Sequence, residues 1–116
     1  MGRALQESAA FELRSALEGV RACGLPVHEL WLVGGAVRSP LWPRILAAVT
    51  GQTVSITRYS HGPALGAAML AGRALGLLEA FPRWVTAQTI NPDTANKAVY
   101  DEAYAAYLQL TERPCL

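Results

Sequence analysis

No stretch of this chain is built to cross a bilayer. The longest apolar run, Pro63 to Leu78, is interrupted by Arg73 and falls short of the roughly 20 residues that a spanning helix needs. The N-terminus, MGRALQES, has no apolar segment of the signal-peptide kind. These two absences predict a cytoplasmic protein without a membrane partner. Cysteine is scarce: Cys23 and Cys115 lie far apart and match no metal or redox spacing, which predicts two reduced thiols. Basic runs are missing too, and the formal net charge is only +1. Nucleic acid is therefore excluded as the main partner. Paired catalytic groups are also lacking. His28 and His61 lie in turn-like segments, Glu29 precedes a strand, and Asp93 and Asp101 belong to the last helix.

What is there suits one small globular domain. The chain has 116 residues, 52% hydrophobic and 16% charged, enough for one modest core. Its focus is Leu30 to Thr50, LWLVGGAVRSPLWPRILAAVT. An apolar run ends in Gly34-Gly35, Ala36 to Arg38 complete a turn, and Ser39-Pro40 opens an amphipathic helix, with Ser39 as its cap. A glycine turn ahead of a helix lets backbone approach a phosphate-bearing ligand closely. The helix start aims free N–H groups and the positive end of its dipole at that turn.

The flanking segments read as scaffold. Arg3 to Arg21 is a helix with an apolar stripe of Leu5, Ala9, Leu13, Ala16, Leu17 and Val20, stopped by Gly24 and Pro26. Glu29 to Val33 is a short strand, mostly apolar rather than alternating, as in a strand covered on both faces. In the central helix Leu41, Ile45, Leu46 and Val49 form the buried stripe, and Gly51 ends it. Thr53 to Tyr59 alternates and is β-branched, a second strand, followed by a turn at Ser60-His61-Gly62. Pro63 to Leu78 is a third helix whose small residues invite close packing against a sheet or the glycine turn. Glu79 to Thr89, with Pro82 and Trp84, is a loop. Asn91-Pro92 opens the last helix, with Val99, Ala103, Tyr107 and Leu110 as its stripe and Tyr100 and Tyr104 beside it; the tyrosines are expected to pack in the core and at its rim. The predicted order is α-β-α-β-α-α, an α/β fold.

VGGAVRSPLWPRILAAVTGQTV followed by GPALGAAMLAG resembles the C-terminal part of the FGGY carbohydrate kinases, the xylulokinases most of all. That family has a strand ending in a Gly-Gly-Gly/Ala turn, a Ser-x-x-Trp helix, Thr-Gly and a strand, then an ALGAA helix. ESAAFELRSALEGVRACG and YDEAYAAYLQL resemble the helix before this turn and the closing tyrosine-rich helix, so the likeness covers nearly the whole chain. It implies that residues 1–116 are part of the C-terminal nucleotide-binding domain of a sugar kinase, a fragment of an actin-like ATPase (ribonuclease H-like) lobe. It also implies ATP-dependent phosphorylation of a sugar hydroxyl, D-xylulose or a related pentulose, with Mg²⁺ on the phosphates. By the family's pattern Gly35 approaches the adenosine side of the nucleotide through its backbone, Ser39 lies within reach of it, and Gly34 and Ala36 shape the turn.

The family keeps its phosphate loops, catalytic Asp and most sugar contacts upstream of this region, and nothing here replaces them. Ala48 stands where an Asp is common, and Pro43 where a long polar residue is common. The competing reading is a stand-alone, non-catalytic nucleotide-binding module of the same fold. A dinucleotide-binding domain fits poorly, because VGGAVRSP lacks the G-x-G-x-x-G spacing. With only two predicted strands and so apolar a composition, the chain is expected to self-associate, through a sheet edge or the small-residue helix.

Overall fold

The computed structural model describes residues 2–58, 61–83 and 85–111. The readings at Tyr59, Ser60, Trp84 and Cys115 lie outside the described residues. The elements are α1 (Gly2–Ala22), β1 (Leu30–Leu32), a 3₁₀ turn (Gly34–Arg38), α2 (Trp42–Thr50), β2 (Val54–Thr57), α3 (Gly62–Ala74), β3 (Thr86–Ile90) and α4 (Lys97–Thr111).

The fold is α/β, with one correction to the predicted order: a third strand stands where a loop was expected. The sheet runs β1-β2-β3. β1 pairs with β2 in parallel, Leu30 opposite Val54 and Leu32 opposite Ile56. β3 pairs with β2 antiparallel, Val54 opposite Ile90, with an irregularity between Ile56 and Thr57. TAQTI escapes a pattern reading because Thr86 to Thr89 are exposed, so the strand shows neither an apolar run nor an alternation. Its ladder with β2 makes it a strand. β2 is buried at all four positions, as the middle strand of three, and so does not behave as a half-exposed alternating strand.

α2 is the central helix, touching α1, α4, β2 and β3. Every residue from Ile45 to Thr50 is buried. Together with Ala10, Phe11, Val54, Tyr100 and Tyr104 these residues make the core. Gly51 closes α2 at φ +67°, donating its N–H to the Ala47 carbonyl at 3.0 Å. A residue with a Cβ is strained in that left-handed conformation.

Three helix readings need correction. In α1 the buried residues are Ala10, Phe11 and Leu17, whereas Leu5 and Val20 of the expected stripe are exposed. In α4 the buried face is Tyr100 and Tyr104, while Val99 and Leu110 face solvent. The tyrosines win this face because their hydroxyls reach α1 carboxylates: Tyr100 donates to Glu7 at 3.2 Å and Tyr104 to Glu18 at 2.9 Å. Buried aromatic rings with satisfied hydroxyls pack as well as aliphatic residues. Finally, α4 begins at Lys97, not at Asn91-Pro92. The Asp93 carboxylate holds the approach, accepting from the Ala95 N–H at 2.9 Å and the Asn96 amide at 2.6 Å.

α3 also departs from expectation. It ends at Ala74, four residues early, and Gly62 is its only buried residue. The small side chains along it find no sheet to lie against among the described residues. None of the described helices is long and apolar enough to cross a membrane.

Candidate functional site at the glycine turn

β1 and β2 run parallel, so their C-terminal ends lie at the same edge of the sheet, and the chain leaves that edge through the glycine turn and through α3. In open α/β sheets, ligands bind outside the carboxyl ends of the strands. Val33 leaves β1 extended, at φ −130°. Gly34 then turns at φ +76°, which a residue with a Cβ resists. Gly35 and Ala36 follow in the 3₁₀ turn, and the Ser39 N–H closes it on the Ala36 carbonyl at 3.2 Å. The start of α3 lies against the same edge: a Cβ placed on Gly62 would sit 3.0 Å from Val33 Cβ.

The expected site residues Gly34, Gly35, Ala36 and Ser39 are thus brought together. Their roles in the turn separate. Gly34 carries the left-handed backbone. Gly35 does not; it is exposed, and nothing lies within 4 Å of a Cβ built on it. Positive φ is therefore not what calls for glycine at position 35. Neither backbone strain nor packing among the described residues accounts for glycine there.

Ser39 also shifts from its expected place. α2 begins at Trp42, with Leu41 at the helix boundary, yet the Trp42 N–H donates to Ser39 Oγ at 3.2 Å. The hydroxyl performs the capping bond of an N-cap residue from three positions ahead of the first helical residue. Pro43 sits in the first turn, where a missing N–H is tolerated. Because Ser39 Oγ accepts from Trp42, its own hydrogen is free to donate to a ligand.

Ala36 and Ser39 line an open cleft of about 370 Å³ with Trp42 and, across from them, Leu5, Gln6 and Ala9 of α1. The sequence reading missed this wall. It assigned Leu5 and Ala9 to the core by their helical spacing, but periodicity reports a shared helix face and not what covers it. On its other side Ser39 borders a cleft of about 230 Å³ with Arg38, Pro43, Ile56 and Gln88. Ala48 lies apart from Ser39, beside Arg3 and Tyr100. Among the described residues no group of three or more His, Cys, Asp or Glu side chains is placed to hold a metal ion. The turn offers backbone N–H groups, a hydroxyl and apolar walls, which suit recognition of a base or ribose. It offers no general base.

Comparison with known proteins shows the family of the chain. Residues 1–75 match the C-terminal domain of the FGGY family of carbohydrate kinases. The chain is 37% identical over 114 residues to the ribulokinase of Mycolicibacterium smegmatis, covering 93% of this chain and 20% of that protein. It is 32% identical over 118 residues to the xylulose kinase of Escherichia coli strain K12, covering 97% of this chain and 24% of that one. The crystal structure of xylulose kinase from Rhodospirillum rubrum superposes with a TM-score of 0.74 at 29% identity, over 93% of this chain and 23% of that chain. The chain thus spans about a fifth to a quarter of the length of these relatives.

Proposed function

Because the chain belongs to the FGGY family of carbohydrate kinases, with the α/β fold of the actin-like ATPases, we propose that it is the adenosine-binding part of an ATP-dependent sugar kinase. The whole enzyme would phosphorylate a hydroxyl of a pentulose, D-xylulose or a close relative. Gly35 supplies its backbone to the nucleotide, Gly34 and Ala36 hold the turn, and Ser39 donates its hydroxyl hydrogen to the base or ribose. Mg²⁺ would be carried mainly by the ATP phosphates and by residues of the remaining kinase polypeptide.

One observation carries this reading. Gly35 is a glycine that the fold does not require: no positive φ, and open space where its Cβ would be. A ligand that comes up against the backbone gives that residue a reason to be glycine. Ser39, with a hydrogen to donate, stands at the end of the same turn.

Phosphoryl transfer needs groups on the β- and γ-phosphates and a base for the attacking hydroxyl. Arg38 and Arg44 border the Ser39 cleft, but among the described residues no acid lines either cleft beside Ser39, so the chain by itself should bind nucleotide without turning it over. Calorimetric titration with ADP, ATP and GTP, beside a coupled ADP-release assay over a pentulose panel, tests both halves. Adenine-selective binding with no sugar-dependent turnover is the expected result. Turnover above a buffer control, in a preparation free of host kinase, contradicts the division of labour. Absence of any nucleotide binding contradicts the site.

A further inference from the structure

A second cleft, of about 410 Å³, lies where the start of α1, the middle of α2, the end of β3 and the approach to α4 meet. Its volume is in the range of small-ligand sites, about 300–1,000 Å³. Its apolar part is Ile45, Ala48 and Ile90, and two guanidinium groups from separate elements, Arg3 and Arg44, line it with Asn91.

The cleft has more donors than acceptors. Asp93 is the only acid in its lining, and both of its oxygens already accept hydrogen bonds from the loop before α4. Arg3 donates to Glu7 at 2.8 Å and to the Tyr100 hydroxyl at 3.2 Å, which fixes its guanidinium at the cleft. Arg44 is exposed and makes no hydrogen bond or ion pair with the described residues. The Asn91 side-chain oxygen accepts from Thr53 Oγ1 at 3.4 Å, which leaves its amide hydrogens to donate. Arginine forks match the oxygens of a phosphate, and such charge-assisted bonds are about twice as strong as neutral ones. An apolar floor strengthens them by keeping water from one side.

We propose that the cleft between Arg3 and Arg44 binds the phosphate group of a small phosphorylated molecule; Arg44 and Ile90 stand between it and the smaller cleft that Ser39 borders, and none of Gly34, Gly35, Ala36 and Ser39 lines it. Free phosphate and a phosphate ester share the recognised chemistry; the ester adds an organic part to lie on Ile45, Ala48 and Ile90. The inference does not rest on the nucleotide reading of the turn.

Calorimetric titration at fixed ionic strength, with inorganic phosphate in one arm and ribose 5-phosphate in the other, tests it. Saturable binding of at least one probe is expected. Arg44→Gln, at an exposed position that leaves the core intact, should weaken it about tenfold or more, and Asn91→Ala should weaken it less. Gly35→Val and saturating ADP should leave it unchanged. Tighter binding of ribose 5-phosphate identifies an ester as the ligand; equal binding identifies free phosphate, and both support the site. No binding of either probe, or binding indifferent to Arg44→Gln and Asn91→Ala, overturns the proposal. Displacement by ADP also overturns it, because the cleft would then belong to the nucleotide site.

Discussion

Arg14 on α1 donates from Nη1 to Oδ1 of Asp101 on α4 at 2.8 Å, while its guanidinium lies 4.2 Å from the centre of the Tyr104 ring. The same Nη1 reaches the Val49 carbonyl near the end of α2 at 3.3 Å. One side chain therefore ties the first, central and last helices together. Burial works against its charge, yet the hydrogen bonds to Asp101 and Glu18 carry the Arg14 pKa above its ordinary value. On the other side, hydrogen bonds from Lys97 and Arg14 hold the Asp101 carboxyl below the usual range.

The Asp101 link should show in acid. A carboxyl with a lowered folded-state pKa stabilises the fold above its unfolded value, about 3.9. That contribution disappears as pH falls through the lower folded-state value. Thermal unfolding followed from pH 7 to pH 2 should lose stability below about pH 4, and Asp101→Asn should flatten that limb. An unchanged acid limb in Asp101→Asn would show that the link contributes nothing. Arg14→Gln should cost about 2 kcal/mol at neutral pH, through the lost charged hydrogen bonds and ring contact.

Two glycines should be needed by the backbone alone. Gly34 at φ +76° and Gly51 at φ +67° have nothing within 4 Å of an added Cβ, so alanine there meets strain and no clash. Each substitution should lower stability by about 1–2 kcal/mol. Urea denaturation measures this, and Gly51→Ala should leave ADP affinity intact because Gly51 lies at the far end of α2. A neutral Gly51→Ala would remove the strain argument.

Self-association is expected from what α3 leaves open. Leu70, Leu75 and Leu77 are 64%, 74% and 76% exposed, and β1 and β3 are both sheet edges. Burying such leucines yields about 1.5–3 kcal/mol each, against at least about 4 kcal/mol for lost rigid-body freedom. With three such leucines on each partner the burial is of the size needed to offset that loss, and edge-strand hydrogen bonds would add to it. Size exclusion with light scattering should show a dimer or larger species that dissociates on dilution. A monodisperse monomer at high concentration contradicts this and favours a stand-alone module.

The sequence was most legible where punctuation and periodicity agree with burial. Gly24, Gly51 and the Gly34-Gly35 pair separated α1, β1 and α2 correctly. It was least legible where an element depends on a distant partner. β3 is polar and exposed and exists through its ladder with β2. The tyrosines of α4 pack in the core as expected, but the aliphatic stripe at Val99 and Leu110 was misassigned, because Tyr100 and Tyr104 hold the buried face through Glu7 and Glu18, more than eighty residues away. α3 was over-read because its small residues imply a packing partner that the described residues do not supply. At the candidate site the turn itself was legible, and Gly34, Gly35, Ala36 and Ser39 lie together after β1. Which glycine carries the left-handed turn could not be read from GG, and the α1 wall at Leu5 and Gln6 was hidden by a stripe that resembles core.

The central claim is that Gly35 is glycine for the nucleotide and not for the fold. Calorimetric ADP titration of the parent, Gly35→Val and Ser39→Ala, each confirmed as folded by circular dichroism and thermal unfolding, tests it most directly. Gly35→Val should keep its fold and lose measurable ADP binding, because a branched side chain would fill the space at the turn. Ser39→Ala should lose about 1 kcal/mol of stability with its cap and bind ADP more weakly than the parent but better than Gly35→Val. Folded Gly35→Val that binds ADP like the parent would contradict the account and move the site away from the turn.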